Sequence, residues 1–131
     1  DLIKRFNILA RSTRTDVRSL SGGNIQKVVV ARELSSDPDV IVAAQPTRGI
    51  DVGSEEMVHN LLRDARDDGK AVFLISADLD EVLKLSSRIV VIYDGEIVAH
   101  FDNTPELSGR ELGPYMLGVK KEAGASGTLR S

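Results

Sequence analysis

The sequence predicts an α/β fold, and three observations predict it. Two short apolar runs, residues 40–44 and 71–76, have the composition of strands buried on both faces. A helical pattern separates them, which predicts parallel strands joined by a right-handed crossover. Two further β-rich runs, residues 89–93 and 96–101, flank Asp94-Gly95, and this dipeptide is typical of a hairpin turn.

The helices are predicted from capping residues and from the spacing of apolar side chains. Residues 1–19 indicate the end of a helix and a polar loop, and Ser21 is the expected N-cap of the next helix. Asp51 or Ser54 can cap the following helix, which Gly69 is expected to end. The expected helices reach residues 34 and 67, and shorter ones are expected at 80–85 and within 105–118.

Composition limits the class of protein. The chain has 131 residues, 41% of them hydrophobic and 28% charged, which is enough for one modest globular domain. Its net charge of −3 gives no electrostatic footprint for nucleic acid, so no nucleic-acid partner is expected. The absence of Cys excludes disulfides and thiolate metal sites. No apolar run approaches the roughly 20 residues that span a bilayer, and the start without Met suggests an excised fragment.

The turn Ser21-Gly22-Gly23 allows two interpretations. A hydroxyl and two glycines at the start of a helix leave backbone N–H groups free at a positive dipole end, which is a ready site for an anion. The glycines also let a phosphate approach the backbone without a Cβ in the way. Alternatively, Ser21 is an ordinary N-cap beside a flexible turn.

The neighbouring segments favour the anion site. These segments are, in chain order, Leu20-Ser21-Gly22-Gly23-Asn24-Ile25-Gln26 and residues 40–47, 46–53, 74–81 and 87–98. Together they resemble the signature, the Walker B strand, the D-loop, the switch-histidine region and the closing hairpin of ABC-type ATPases. The resemblance covers residues 1–118 and is closest to the second ATPase half of tandem nucleoside and simple-sugar importers.

The resemblance implies a partial P-loop NTPase domain with part of the helical subdomain, parallel strands and a C-terminal β-hairpin. Residues 119–131 are expected to be a disordered tail. In the family, each ATP lies between one half's phosphate loop and the other half's signature. By that analogy Ser21, Gly22, Gly23 and Gln26 belong to the ATP-binding signature, with the first three reaching the terminal phosphate, and Asp51 supports the junction.

The sequence also departs from the family at three functional positions. Ala44 and Gln45 stand where the Walker B strand ends in Asp and Glu, and Ala77 stands in place of the switch histidine. Ala44 offers no ligand for the magnesium shell, and Gln45 cannot accept a proton from the attacking water. No Gly-x-x-x-x-Gly-Lys-Ser/Thr loop occurs in these residues. The chain alone is therefore predicted to be inactive.

These departures and the family together predict the partners. ATP and magnesium are expected in the complete dimer, and none is expected to bind this fragment tightly. The expected partners are a second ATPase half and transmembrane permease subunits at the cytoplasmic face of the membrane, where the chain is peripheral. The alternatives are a non-catalytic interaction or regulatory domain and a truncated relic of an ABC ATPase.

Two remaining expectations concern the histidines and the behaviour of the chain by itself. His59 stands among polar residues on a helix face, and neither His59 nor His100 has a partner ligand at metal-binding spacing. Both are therefore interpreted as solvated or incidental, and no metal site is expected. In this fold class the phosphate-loop strand lies inside the sheet. Without it, unpaired edges and an exposed apolar face are expected, so the isolated chain should dimerise, swap elements or be marginally stable.

Overall fold

The computed structural model of the chain describes residues 2–123, which divide into two compact units at the boundary between Ser76 and Ala77. The first unit contains two longer helices and a parallel strand pair, and the second contains a hairpin and two short helices. The elements are α1 (Leu2–Arg5), α2 (Gly22–Ser35), β1 (Val40–Ala44), α3 (Val52–Asp67), β2 (Ala71–Ile75), α4 (Leu79–Leu85), β3 (Arg88–Tyr93), β4 (Glu96–Asp102) and α5 (Gly109–Met116).

The parallel strand pair of the first unit confirms the α/β prediction. β1 and β2 run in parallel, with Val40 opposite Ala71 and Ala44 opposite Ile75. The helix between them, α3, begins at its N-cap Asp51. Gly69 follows the end of α3 with a φ of +86, a left-handed angle that glycine adopts without strain. Phe6 and Ile8 form a buried core with Ala31 of α2.

The expectation that both strands are buried on both faces is wrong for this structure. Exposure alternates along each strand, so only every second side chain is partly covered. The helices of the first unit cover only one face of the two-stranded sheet. On the other face Val42 remains 64% exposed and Phe73 remains 55% exposed. The exposed apolar face that the sequence predicts is therefore present among the described residues.

The second unit is built on the predicted hairpin. β3 and β4 pair in antiparallel register around Asp94 and Gly95, whose φ values of +48 and +76 are the left-handed pair that a tight two-residue turn needs. α5 packs on this hairpin, with Leu112 fully buried and the rings of Phe101 and Tyr115 in edge-to-face contact at 5.3 Å.

The start of the predicted tail is held by hydrogen bonds. The backbone N–H of Val119 donates to the carbonyl of Pro114, and that of Glu122 donates to the carbonyl of Val98. These contacts involve residues 119–122 of the predicted tail, and residues 124–131 lie outside the described residues. Over residues 2–123, the structure holds no helix with the length and apolar character needed to cross a membrane.

Candidate functional site

The start of α2 is fixed by its N-cap, as the sequence predicts. Ser21 has extended backbone angles, and its hydroxyl oxygen accepts hydrogen bonds from the backbone N–H of Asn24 at 3.4 Å and from its side-chain Nδ2 at 2.9 Å. The other side of the Asn24 amide is fixed too, since Oδ1 accepts from the backbone N–H of Leu9 at 2.8 Å. Asn24 thus ties the Ser21 cap to the loop that follows α1.

The hydrogen-bonding groups that remain unused at this turn are donors. The Ser21 oxygen accepts two hydrogen bonds, and no atom of residues 2–123 accepts from its O–H, which remains available to donate. The N–H groups of Gly22 and Gly23 lie at the start of the first turn of α2 and donate to no atom of residues 2–123. Ser21 and Gly22 are exposed, whereas Gly23 is buried. An oxyanion is the kind of group that such a turn can bind.

The start of α3 lies beside this turn and carries Asp51. Its carboxylate accepts from the backbone N–H of Ser54 at 3.0 Å and from the Ser54 hydroxyl at 2.8 Å. These hydrogen bonds, with the hydroxyl bond the largest cause, hold the pKa of Asp51 below its ordinary value of 3.8. Of the two N-caps that the sequence allows for this helix, Asp51 is the one observed.

The two helix starts touch at Gly23. A Cβ added to Gly23 would lie 2.4 Å from Oγ of Ser54 and 2.7 Å from Oδ2 of Asp51. A Cβ at Gly22 would meet only the carbonyl oxygen of Gly49 at 3.6 Å, an ordinary contact. A side chain at position 23 would therefore force Ser54 or Asp51 to move, whereas the packing at position 22 tolerates a side chain.

Gln26 and the end of β1 lie on the same unit. The side-chain Nε2 of Gln26 donates to the carbonyl of Pro46 at 2.6 Å, which ties α2 to the loop after the strand. Ala44 ends β1, and the backbone N–H of Gln45 donates to the carbonyl of Ile75. Gln45 has a φ of +49, a left-handed conformation that is uncommon for a residue with a side chain.

The chemistry available at the strand end is limited. The side chain of Gln45 is half-buried, and its amide can bind a water but cannot take its proton. Ala77 opens the second unit and is not among the residues that the first unit brings together. Among residues 2–123, no cluster of three or more His, Asp or Glu side chains is arranged to hold a metal ion.

Two residues that shape the site, Asn24 and Ser54, are not among the predicted ATP-binding residues. Asn24 is predicted only as part of the signature segment, and Ser54 only as a possible helix cap. Each stands three positions after a helix cap, Asn24 after Ser21 and Ser54 after Asp51. That spacing places a residue within hydrogen-bonding reach of the capping side chain, and it is the signal that could have identified both.

The interpretation of His59 as solvated is wrong. Its side chain is 1% exposed, and its ring nitrogens lie 4.0 Å from carboxylate oxygens of Glu55 and Glu56. The ring is covered because its face of α3 packs inside the first unit, together with Val58 and Leu62. His100 is exposed on β4.

Comparison with known proteins gives relatives for nearly the whole chain, although no family model matches it. The guanosine import ATP-binding protein NupO of Bacillus subtilis is 48% identical over 124 residues, which are 94% of this chain and 24% of NupO. The glucose import ATP-binding protein TsgD13 of Haloferax volcanii is 47% identical over 120 residues, or 89% of this chain and 22% of that protein. The chain spans about a quarter of the length of these curated relatives.

A solved structure shares the fold. The chain superposes with a TM-score of 0.69 on a dimeric ATP-binding cassette in a post-hydrolysis state with ADP and Pi, at 30% identity. The match covers 79% of this chain and 44% of that cassette. On its sequence relatives and its fold, this chain belongs to the ABC-type ATPase family, as a homologue of part of the nucleoside and sugar import ATP-binding proteins.

Proposed function

We propose that this chain supplies the signature motif to a partner ATPase half, as part of the energy-coupling ATP-binding module of an ABC importer for nucleosides or simple sugars. The functions in the names of its relatives, guanosine import and glucose import, support this class of solute. Because the chain matches only about a quarter of those relatives, the activity proposed is that of an assembly and not of the chain alone.

The donor-only turn at the start of α2 is the observation that carries the proposal. Ser21 and Gly22 are exposed, and both hold hydrogen-bond donors that no described residue uses. A terminal phosphate held by a partner would accept hydrogen bonds from these donors and would lie at the positive end of a 14-residue helix. Asp51 and Gln26 do not contact the phosphate in this proposal. Asp51, held by Ser54, supports the turn, and Gln26 holds the loop after β1.

The chain's own Walker B position is proposed to be degenerate. With Ala44 and Gln45 at the strand end, it lacks the carboxylate that orients magnesium and the one that accepts a proton from water. Ala77 likewise offers no contact to a phosphate. ATP and magnesium are therefore proposed to be held mainly by the partner half, at a composite site that this chain completes.

The other partners that we propose are those of an importer. Permease subunits would carry the solute through the membrane, and this chain would act at their cytoplasmic side as a peripheral part. The second candidate, a non-catalytic interaction domain, predicts no role for the donor turn. The available donors of Ser21 and Gly22 favour signature donation over it.

ATP hydrolysis by a mixture tests the proposal. The chain is assayed with ATP and magnesium, first alone and then with an ABC ATPase half that keeps its phosphate loop and both Walker B carboxylates. The proposal expects no turnover alone and a gain on mixing that Ser21→Arg abolishes, because the arginine fills the space of the phosphate. Ser36→Arg, at the far end of α2, is the matched control and should keep the gain.

Three outcomes contradict the proposal. Turnover by the chain alone would mean that Ala44 and Gln45 are not the Walker B positions. An absence of stimulation, or stimulation that Ser21→Arg leaves intact, would favour the interaction domain or the relic.

A further inference from the structure

Ser54 holds both oxygens of the Asp51 carboxylate. Its backbone N–H donates to Oδ1 at 3.0 Å, and its hydroxyl donates to Oδ2 at 2.8 Å. The first bond is the ordinary cap of a helix and any residue except proline can supply it. The second needs a hydroxyl at this position. Ser54 is 6% exposed, so this hydroxyl is shielded from the water that could replace it.

The same hydroxyl faces the signature turn. The position of a Cβ on Gly23 lies 2.4 Å from Oγ of Ser54, 3.1 Å from its Cβ and 2.7 Å from Oδ2 of Asp51. The Ser54–Asp51 pair is therefore the surface against which the second residue of α2 packs. A movement of either side chain changes the distance between the starts of α2 and α3, because close-packed interiors transmit small displacements.

We propose that Ser54 is a positioning residue, whose hydroxyl fixes the Asp51 carboxylate and through it the place of the Ser21–Gly23 turn. This role rests on the proposed function, since the turn must meet a phosphate that another half presents. Ser54 itself does not touch that phosphate. Its contribution is to keep the donors of Ser21 and Gly22 at one distance from the D-loop, before and during the reaction.

Three substitutions separate this role from simple helix capping. Ser54→Ala keeps the backbone N–H to Oδ1 but leaves Oδ2 without its donor. Ser54→Thr restores the hydroxyl. Ser36→Ala is the matched control, since it removes a serine hydroxyl that donates to the Glu33 carbonyl at the far end of α2, away from the turn.

Nuclear magnetic resonance of the chain tests the geometry without any partner. Ser54→Ala should move the pKa of the Asp51 carboxyl upward, towards 3.8, and should shift the amide signal of Gly23 at neutral pH. Ser54→Thr should return both signals towards the wild type, and Ser36→Ala should move neither. If Ser54→Ala leaves the Asp51 titration and the Gly23 amide in place, the positioning role is wrong. If acid unfolds a variant before Asp51 titrates, the Gly23 amide signal at neutral pH decides whether the positioning role holds.

The kinetic test uses the mixture with an ABC ATPase half. Because the partner's phosphate loop holds ATP, Ser54→Ala should lower kcat by about ten-fold or more and leave KM for ATP within about two-fold. Ser54→Thr should recover most of the rate. An unchanged kcat, or a rise in KM alone, overturns the role. If the wild-type chain gives no stimulation at all, the proposed function fails, while the Asp51 and Gly23 signals still decide whether Ser54 fixes the turn.

Discussion

Gly23 and Ser54 lie so close that a methyl group on the glycine would sit 2.4 Å from the serine Oγ. This contact joins the starts of α2 and α3. It explains the glycine at position 23 by packing within the chain. The other glycine, Gly22, has no comparable contact, since a methyl group added there would lie 3.6 Å from its nearest neighbour. The two glycines of the turn therefore differ in what they do for the fold.

Alanine substitutions should separate the two glycines. Gly23→Ala should destabilise the chain by about 1–3 kcal/mol, because overpacking forces the Ser54–Asp51 pair to move. Gly22→Ala should leave stability unchanged or raise it by up to about 1 kcal/mol, since alanine loses less backbone freedom than glycine on folding. Urea unfolding of both variants measures the difference. Equal losses would mean that the contact at Gly23 yields at little cost.

Ser21 should show separable structural and functional roles. Ser21→Ala removes the acceptor for Asn24 and should cost about 0.5–2 kcal/mol. Ser21→Asp restores a capping oxygen and should recover stability, yet its negative charge should repel a phosphate. We therefore expect Ser21→Asp to unfold like the wild type but to give no stimulation of a partner ATPase half. An aspartate variant that still stimulates would assign Ser21 to capping alone.

The stability of the start of α3 should depend on pH, because Asp51 titrates there. Hydrogen bonds from Ser54 lower the folded-state pKa of Asp51 below 3.8. A lowered carboxyl pKa stabilises the fold above the unfolded value, and this contribution is lost as the pH falls through the folded pKa. Asp51→Asn keeps a good cap but carries no charge.

Unfolding of both proteins between about pH 6 and about pH 3 measures this contribution. The stability advantage of the wild type over Asp51→Asn should shrink as the pH falls through that range. Parallel losses in the two proteins would show that other carboxylates, such as Glu96 with its pKa lowered by Lys121, account for the acid sensitivity.

Local chemistry explains which features could be predicted from the sequence. The caps Ser21 and Asp51 and the hairpin turn at Asp94-Gly95 depend on hydrogen bonds and φ values within a few residues, so the sequence there is sufficient. The contact between Gly23 and Ser54 depends instead on how two helices pack, and no local pattern encodes that distance.

The prediction of strand burial was wrong for the same reason. The apolar run of β1 predicts a strand correctly, but whether Val42 is covered depends on what packs against the sheet. The burial of His59 on α3 was also missed, because its polar neighbours in sequence suggested solvent although the ring is buried.

The two histidines form a matched pair for testing burial. His59→Ala should destabilise the chain by about 2 kcal/mol or more, since removing a large buried side chain leaves a cavity that the surroundings fill only in part. His100→Ala, on the exposed side of β4, should change stability by less than about 0.5 kcal/mol. Thermal or urea unfolding checks both. Similar values for the two variants would contradict the burial of His59.

The exposed face of the β1–β2 pair should make the chain self-associate. Val40, Val42, Phe73 and Ile75 are each 46–64% exposed, and apolar faces of this kind drive association when nothing covers them. Light scattering should therefore give a mass above 14.2 kDa that rises with concentration. Phe73→Lys should bring the mass back towards that of one chain, because a charged side chain opposes burial of the face.

Leu9→Lys is the matched control for this measurement. Leu9 is 72% exposed on the loop after α1, so it places the same charge on an apolar position outside the sheet. If association runs through the strand pair, Leu9→Lys should self-associate like the wild type while Phe73→Lys does not. A wild-type mass of 14.2 kDa at every concentration, with a sharp unfolding transition, would show that the exposed face is tolerated in a stable monomer.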